Sequence, residues 1–279
     1  MHIDAHQHFW IYHPQEYEWI DGFMGVIRRN FLPEDLEPEL QRGDVQGSVA
    51  VQARQTLAET RWLLGLAEQS PKILGVVGWV DLCSAKLRSQ LQEFAKYPKL
   101  VGVRHMVQTE PDERFLLRAD FLRDISTLEE FDLAYDILIY PKHLPVAAEF
   151  VGRFPKHRFV LDHLAKPPIK SGEIEAWALG IRRLADFPNV WCKLSGLVTE
   201  AHWQRWTPQD IRPYLEVAFE AFGTERLMIG SDWPVCLVAS SYGRTLDVVR
   251  NYVQNLPANA REAVLGANAR RFWRLKTAT

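Results

Sequence analysis

Cysteine is scarce in this 279-residue sequence, which contains three residues of that type. Cys83, Cys192 and Cys236 lie far apart and form no C-x-x-C pair, which argues against both a disulfide framework and a thiolate metal site. Unpaired cysteines are typical of a reducing compartment. The first residues contain neither the basic stretch nor the apolar run of a signal peptide. We therefore expect a cytoplasmic protein.

Long apolar runs and concentrated charge are also missing. No segment approaches the ~18 unbroken apolar residues that a transmembrane helix requires, so we expect no contact with a membrane. The 33 lysines and arginines nearly balance the 35 aspartates and glutamates, and the net charge is −2. Without a long basic run, the sequence gives no sign of nucleic-acid binding. A small neutral or mildly anionic molecule fits this charge better, and the sequence leaves the oligomeric state open.

Several well-known catalytic motifs are absent. The sequence contains no G-x-S-x-G elbow, no P-loop and no H-E-x-x-H helix, which excludes the usual serine hydrolases, NTPases and zincins. No G-x-G-x-x-G follows the first predicted strand, so we expect no dinucleotide and no other organic cofactor. Water remains as the expected nucleophile.

Eight apolar runs of strand length recur along the chain, and most precede a stretch patterned as a helix. The predicted strands are 2–6, 48–52, 74–80, 101–105, 133–139, 158–163, 190–195 and 226–231. The predicted helices are 34–41, 59–68, 85–95, 121–130, 145–154, 173–185 and 211–222. This alternation predicts a parallel sheet, and eight repeats fit a closed (β/α)8 TIM barrel better than an open doubly wound sheet. We predict a single domain over residues 1–279, although the length also allows two.

A long segment without regular pattern, residues 9–30, follows the first predicted strand. It is rich in aromatic side chains, which makes disorder a poor explanation. We interpret it as a cap that distorts the regular barrel and covers its mouth. The alternative is a packed surface flap.

His6-x-His8 is the sharpest pattern, because catalytic groups of such barrels lie at the carboxyl ends of the strands. Strict alternation places Asp4, His6 and His8 on one face, with Ile3 and Ala5 packed against helices. Two neighbouring imidazoles suit a divalent metal or a proton-transfer site. The other interpretation is a pair of structural histidines.

Asp232 follows the last predicted strand, where a carboxylate beside the two histidines suits a general base. It is alternatively a helix N-cap, which the following Trp233-Pro234 makes less natural. His163 closes the sixth predicted strand and is either structural or catalytic. Its neighbour Asp162 has the opposite parity, which suggests a helix-side or loop anchor.

Other polar and aromatic residues near strand ends are candidates for substrate contact. Arginine guanidinium groups present several fixed donors to carbonyl or hydroxyl oxygens, and indole and amide groups suit a hydroxylated ring. The candidates are Arg104, Arg54, Gln52, Trp79, Trp10 and Trp233. Lys193 lies within a predicted central strand, so we expect a structural ion pair there, and Asp136 is ambiguous between the two roles.

Two motifs, IDAHQHFW at residues 3–10 and IGSDWPVC at residues 229–236, resemble the amidohydrolase superfamily. More narrowly, they are similar to its amidohydrolase-2 branch of sugar and aromatic-acid lactonases. Further matches are VQA at 51–53, GWVDL at 78–82, GVRH at 102–105, LDH at 161–163 and KLSGL at 193–197. The resemblance covers almost the whole chain.

The resemblance implies a site of His6, His8, His163 and Asp232, with Asp232 as the base. A two-metal centre is not expected, because the fifth predicted strand offers Asp136 instead of the usual histidine. Two alternatives stay open. Either one divalent ion such as Zn²⁺ is held by His6, His8 and Asp232, or catalysis is metal-independent.

The resemblance further implies an enzyme of carbohydrate catabolism that opens a sugar aldonolactone of the L-fucono- or L-rhamnono-lactone type. A dicarboxylate pyrone would call for several clustered arginines, and this chain offers two. The alternatives are hydrolysis of another lactone such as a muconolactone or pyrone, metal-dependent decarboxylation of an aromatic acid, and a barrel that binds sugars without catalysis.

Overall fold

Eight parallel strands form one sheet in chain order in a computed structural model that describes residues 1–276. The strands are β1 Ile3–Gln7, β2 Gly47–Val51, β3 Ile73–Gly78, β4 Leu100–His105, β5 Ala134–Ile137, β6 Phe159–Leu161, β7 Val190–Leu194 and β8 Leu227–Ile229. The predicted number, order and direction of the strands are therefore confirmed.

Helices follow the strands and surround the sheet. They are α1 Pro33–Arg42, α2 Leu57–Gln69, α3 Leu87–Phe94, α4 Ala119–Ile125, α5 Thr127–Glu130, α6 Leu144–Gly152, α7 Glu175–Ala185, α8 Leu197–Glu200, α9 Pro208–Phe222, α10 Tyr242–Val253, α11 Ala258–Glu262 and α12 Asn268–Trp273. Short 3-10 turns cover Gly22–Ile27, Val107–Thr109, Phe115–Leu117, Pro141–His143, Asp162–Ala165 and Val235–Val238, and a π turn covers Ala263–Ala267. Among residues 1–276, no helix is long and apolar enough to span a membrane.

The barrel closes imperfectly between its first and last strands. Seven neighbouring strand pairs form parallel ladders, three of which contain a register shift, whereas Gln7 and Trp233 make a single isolated bridge just beyond β8. The carboxylate of Asp4 spans the same gap, accepting hydrogen bonds from Ser231 N (2.9 Å) and Ser231 Oγ (2.6 Å). The result is a distorted (β/α)8 barrel, as predicted.

The prediction that successive side chains of β1 alternate strictly between the two faces is wrong. Ile3 and Ala5 belong to a buried cluster with Met228 and the side chains of α12, whereas Asp4 accepts a hydrogen bond from Tyr242 on α10 (3.2 Å). The cause is a register shift between Asp4 and Gln7, where β1 has more residues than the facing part of β2. A bulge of this kind re-aims the side chains that follow it.

The aromatic segment after β1 folds back over the barrel, as predicted for a cap. Trp10 and Phe31 exchange backbone hydrogen bonds of 2.9 Å, and the indole N–H of Trp10 donates to Arg29 O. Phe31 packs edge-on against Trp233, with ring centroids 5.1 Å apart. The cap therefore rests on the residues that follow β8.

Candidate active site

Four side chains predicted at strand ends meet at one point of the barrel mouth. Oδ1 of Asp232 lies 3.3 Å from Nε2 of His8, 3.7 Å from Nε2 of His6 and 3.9 Å from Nε2 of His163. All four residues are buried. Three histidines from parts of the chain far from Asp232 thus surround its carboxylate.

Main-chain hydrogen bonds hold Asp232 beside the histidine pair. Its backbone N–H donates to His6 O (2.8 Å), and the N–H of His8 donates to Trp233 O (2.6 Å). Asp232 has a φ of +57°, a left-handed conformation that non-glycine residues adopt at a cost. The carboxylate is therefore aimed by the β1–β8 junction and not by a helix start.

His163 projects from a left-handed turn. His163, Leu164, Ala165 and Lys166 all have φ between +52° and +56°, where each L-residue costs about 1–2 kcal/mol. The ring is held by Ser195, whose Oγ lies 2.8 Å from Nδ1. A Cβ at Gly196 would approach that Nδ1 to 2.7 Å, so only glycine leaves room for the ring.

Burial and mutual contact set the charges of the site. Burial lowers the pKa of His163 to about 4 and, together with the charge of Lys193, moves the pKa of His6 well below its usual value. Burial alone would raise the pKa of Asp232, but the charge of His163 and the contacts with His8 and His6 outweigh it and lower the pKa. At neutral pH the site therefore presents an ionised carboxylate beside the uncharged imidazoles of His6 and His163.

A buried charge network lies next to His6. Lys193 Nζ is 2.5 Å from Asp136 Oδ2 and 2.8 Å from Asp162 Oδ1, and Arg104 Nη1 donates to Asp162 Oδ2 at 2.9 Å. The predicted ion pair of Lys193 is present, with Asp136 as one partner. Lys193, Asp136 and Asp162 are completely buried and Arg104 nearly so. Two positive and two negative side chains balance one another.

The pKa values of the two network carboxyls move in opposite directions. Burial raises the pKa of Asp136 to about 7, although Lys193 opposes that shift. Burial also acts on Asp162, but the charges of Lys193, His6 and Arg104 outweigh it and hold its pKa well below the usual range.

Asp162 was predicted to be a helix-side or loop anchor; it lies in the loop after β6, but its side chain pairs with Lys193 and Arg104, so the helix-side alternative is wrong. β6 ends at Leu161, and the left-handed turn that follows carries the Asp162 side chain inward. A buried lysine in β7 with one acidic partner was the available signal, because such a lysine beside an arginine needs a second carboxylate.

The site contains a set of ligand atoms that could hold a divalent ion. Ligand atoms of His6, His8 and Asp232 lie within 4.8 Å of one another, and His6, Asp162 and His163 form a second such group among the described residues. His8 is well prepared, because its Nδ1 donates to Val51 O (2.8 Å) and leaves Nε2 directed at Asp232. The chemistry of these donors fits Zn²⁺.

The predicted substrate contacts occupy three kinds of environment. Arg104 is engaged by Asp162 and Gln52 O, and Arg54 pairs with Glu16 and lies 3.8 Å from Glu59. Trp10 and Trp233 lie buried in the aromatic cluster under the cap. Trp79 Nε1 and Gln52 Oε1 are buried polar atoms without a hydrogen-bond partner among residues 1–276.

A cavity of about 1010 Å³ opens between the cap and the segments after β6, β7 and β8. Phe23, Lys170, Glu200, Trp203 and Val238 are among its lining residues. Burial raises the pKa of Glu200, and the negative charge of Asp232 contributes to that shift, so Glu200 lies within electrostatic range of the site. Sequence reasoning missed these residues because they lie in loops and in helical segments too short for periodicity to carry information.

Comparison with known proteins links this geometry to a family. The sequence profile of a family described as Amidohydrolase matches residues 3–275. An L-fucono-1,5-lactonase of Burkholderia multivorans is 41% identical over 286 residues, covering 99% of this chain and 96% of the relative.

Two crystal structures of an amidohydrolase from Burkholderia multivorans resemble the whole fold at 40% identity. One, with bound HEPES, has a TM-score of 0.96, and the other, with bound Zn, has a TM-score of 0.95. In both cases the match covers 99% of this chain and 100% of the other chain.

Proposed function

The chain belongs to the amidohydrolase family, and from this premise we propose that it is a lactonase that opens a sugar aldonolactone of the L-fucono-lactone type. The observation that carries the proposal is the Asp232 carboxylate, ionised and surrounded by the imidazoles of His6, His8 and His163. The 41% identity to an L-fucono-1,5-lactonase supports the substrate class.

Asp232 acts as general base in the proposed mechanism. Its carboxylate takes a proton from a water molecule while the water oxygen forms a bond to the lactone carbonyl carbon. The carbonyl oxygen gains negative charge and lies against the imidazole of His6, which is held in place before the substrate arrives. The bond to the ring oxygen then breaks, and Asp232 returns the proton to the leaving alkoxide.

The proposed metal site is single and consists of His6, His8 and Asp232. When bound there, a Zn²⁺ ion would polarise the lactone carbonyl and acidify a water molecule. The protein's own groups already supply a base and polar partners for the carbonyl oxygen. We therefore propose that the reaction proceeds without a required ion.

The charges near the site favour a neutral sugar lactone over a dicarboxylate pyrone. Arg104 is neutralised by Asp162, and Arg54 is paired with Glu16 and close to Glu59, so neither is free to clamp a second carboxylate. Glu200 adds an acidic group within electrostatic range of Asp232. Trp79 Nε1 and Gln52 Oε1, which lack protein partners among residues 1–276, suit the hydroxyl groups of a sugar ring.

A lactone panel monitored with a pH indicator tests this proposal. We expect acid release from L-fucono-1,5-lactone and L-rhamnono-lactone, little from a pyrone dicarboxylate, and the same sugar-lactone rate after chelation. A dihydroxybenzoate is included to detect decarboxylation, which needs a bound ion and releases CO₂. Ring opening of no sugar lactone, or CO₂ release that a chelator abolishes, would contradict the proposal.

A further inference from the structure

The two histidines of β1 have hydrogen-bond partners that identify which ring nitrogen carries the proton. For His8 the assignment is direct, because Nδ1 lies 2.8 Å from Val51 O, and a carbonyl oxygen only accepts. Nδ1 of His8 therefore bears the hydrogen. In the neutral ring, Nε2 of His8 is left with a lone pair that faces His6 and Asp232.

Lys193 decides the assignment for His6. Its Nζ is 3.1 Å from His6 Nδ1, 2.5 Å from Asp136 Oδ2 and 2.8 Å from Asp162 Oδ1. An ammonium group between two carboxylates has three N–H donors and no lone pair, and here it faces three acceptors. Nδ1 of His6 therefore accepts, and Nε2 of the neutral ring carries the hydrogen.

The opposite tautomer of His6 fits the surroundings poorly. It would direct an Nδ1–H at the ammonium of Lys193, and it would oppose two lone pairs where the Nε2 atoms of His6 and His8 lie 3.2 Å apart. In return it would make two longer contacts: its Nδ1–H would face Asp162 Oδ1 (3.5 Å), and its Nε2 would accept from Arg104 Nη1 (3.4 Å). Arg104 Nη1 already has a better acceptor, Asp162 Oδ2, at 2.9 Å. The shorter contacts all favour the first assignment.

We propose that Lys193 is a positioning residue that holds His6 as an Nε2–H donor. A one-directional chain then runs from Lys193 to His6, from His6 to His8, and from His8 to Val51 O. When substrate binds, the Nε2–H of His6 turns from His8 to the lactone carbonyl oxygen, a step that rests on the proposed function. An ion bound at His6 Nε2 would require the other tautomer, so metal binding competes with the Lys193 hydrogen bond.

Nitrogen NMR of the wild-type protein tests the tautomer directly. Long-range proton–nitrogen spectra of protein labelled with ¹⁵N-histidine distinguish protonated from unprotonated ring nitrogens, and a His6→Gln variant assigns the His6 signals. We expect a protonated Nε2 and an unprotonated Nδ1 in metal-free protein at neutral pH. A protonated Nδ1 on His6 would overturn the proposal.

A matched pair of variants tests whether Lys193 is the cause. Lys193→Met alone leaves two buried carboxylates short of positive charge, so it is combined with Asp136→Asn to remove the ion pair as a unit. Asp136→Asn alone is the control, since it lacks the same carboxylate but keeps Lys193. We expect the control to keep the wild-type tautomer and the double variant to move the proton to Nδ1, toward Asp162.

The same variants show what the tautomer does to metal binding. Added Zn²⁺, followed through the His8 signals, should bind about tenfold more tightly to the double variant than to Asp136→Asn. If the double variant folds and His6 keeps the wild-type tautomer, another contact must set that tautomer, and the proposal is overturned. These readouts need no turnover, so a wild-type protein with the expected tautomer and no lactonase activity would contradict the proposed function alone.

Discussion

At the scale of single residues, the chemistry depends on environment more than on residue type. Burial keeps His6 and His163 uncharged, while contact with three imidazoles keeps Asp232 ionised. The site therefore separates two kinds of group: Asp232 is charged, whereas His6 and His163 are neutral.

The pH dependence of kcat/KM should reflect this separation. The lowered pKa of His163, about 4, means that the ring is neutral above that pH and becomes charged below it. The pKa of Asp232 is lowered as well, so the base stays ionised over the same range. We predict a flat profile through neutral pH and an acid limb with a midpoint near 4. A limb near 6.5, the ordinary histidine value, in protein that circular dichroism finds folded, would contradict this reading.

The main features of the site could be predicted at this scale, but its supporting network could not. His6, His8, His163 and Asp232 stand out because they are polar residues where apolar strands end. The pairing of Asp162 with Lys193 and Arg104 was not predicted, since the alternation of side chains along β6 ends where the chain enters the left-handed turn. The catalytic roles of the four residues remain predictions that the experiments above and below address.

At the scale of elements, the junction of β1 and β8 determines the position of the base. The two strands lack a regular ladder, and side-chain hydrogen bonds to Asp4 take its place. Asp4 also accepts from His6 N at 3.1 Å. One carboxylate thus ties together the histidine strand, the residue before Asp232 and helix α10.

Replacing Asp4 with alanine should destabilise the fold, because it leaves buried donors of Ser231 and Tyr242 without their acceptor. We expect a loss of about 3 kcal/mol in the free energy of unfolding, measured by urea denaturation. Asp4→Asn, which retains one oxygen as acceptor, is the matched control and should cost less. A change below about 0.5 kcal/mol for Asp4→Ala would mean that the junction is held by other contacts.

The sequence could predict the elements but not this junction. Alternating apolar runs and helix-patterned stretches indicate eight repeats, and all eight strands are present in that order. The bulge in β1 depends on how β1 pairs with β2, and such a register is a tertiary property. The rule that alternate residues of a strand face the same side therefore placed Asp4 wrongly, although it placed His6 and His8 correctly at the mouth of the barrel.

At the scale of the whole molecule, the barrel brings distant segments to one face. The cap after β1 packs on the residues that follow β8, so the first and last parts of the sheet close over the same site. This arrangement agrees with the family match over residues 3–275. The single-domain organisation remains a prediction, which the continuous eight-stranded sheet supports.

The most direct test of the account compares lactone opening by Asp232→Asn and the wild-type enzyme. The control is Asp124→Asn, which changes another buried aspartate, on outer helix α4, where it pairs with Arg123. We predict that Asp232→Asn lowers kcat on L-fucono-1,5-lactone by about 10³-fold without loss of folded structure, because the water loses its base. Asp124→Asn should keep the wild-type rate. Wild-type turnover by a folded Asp232→Asn variant would contradict the central claim.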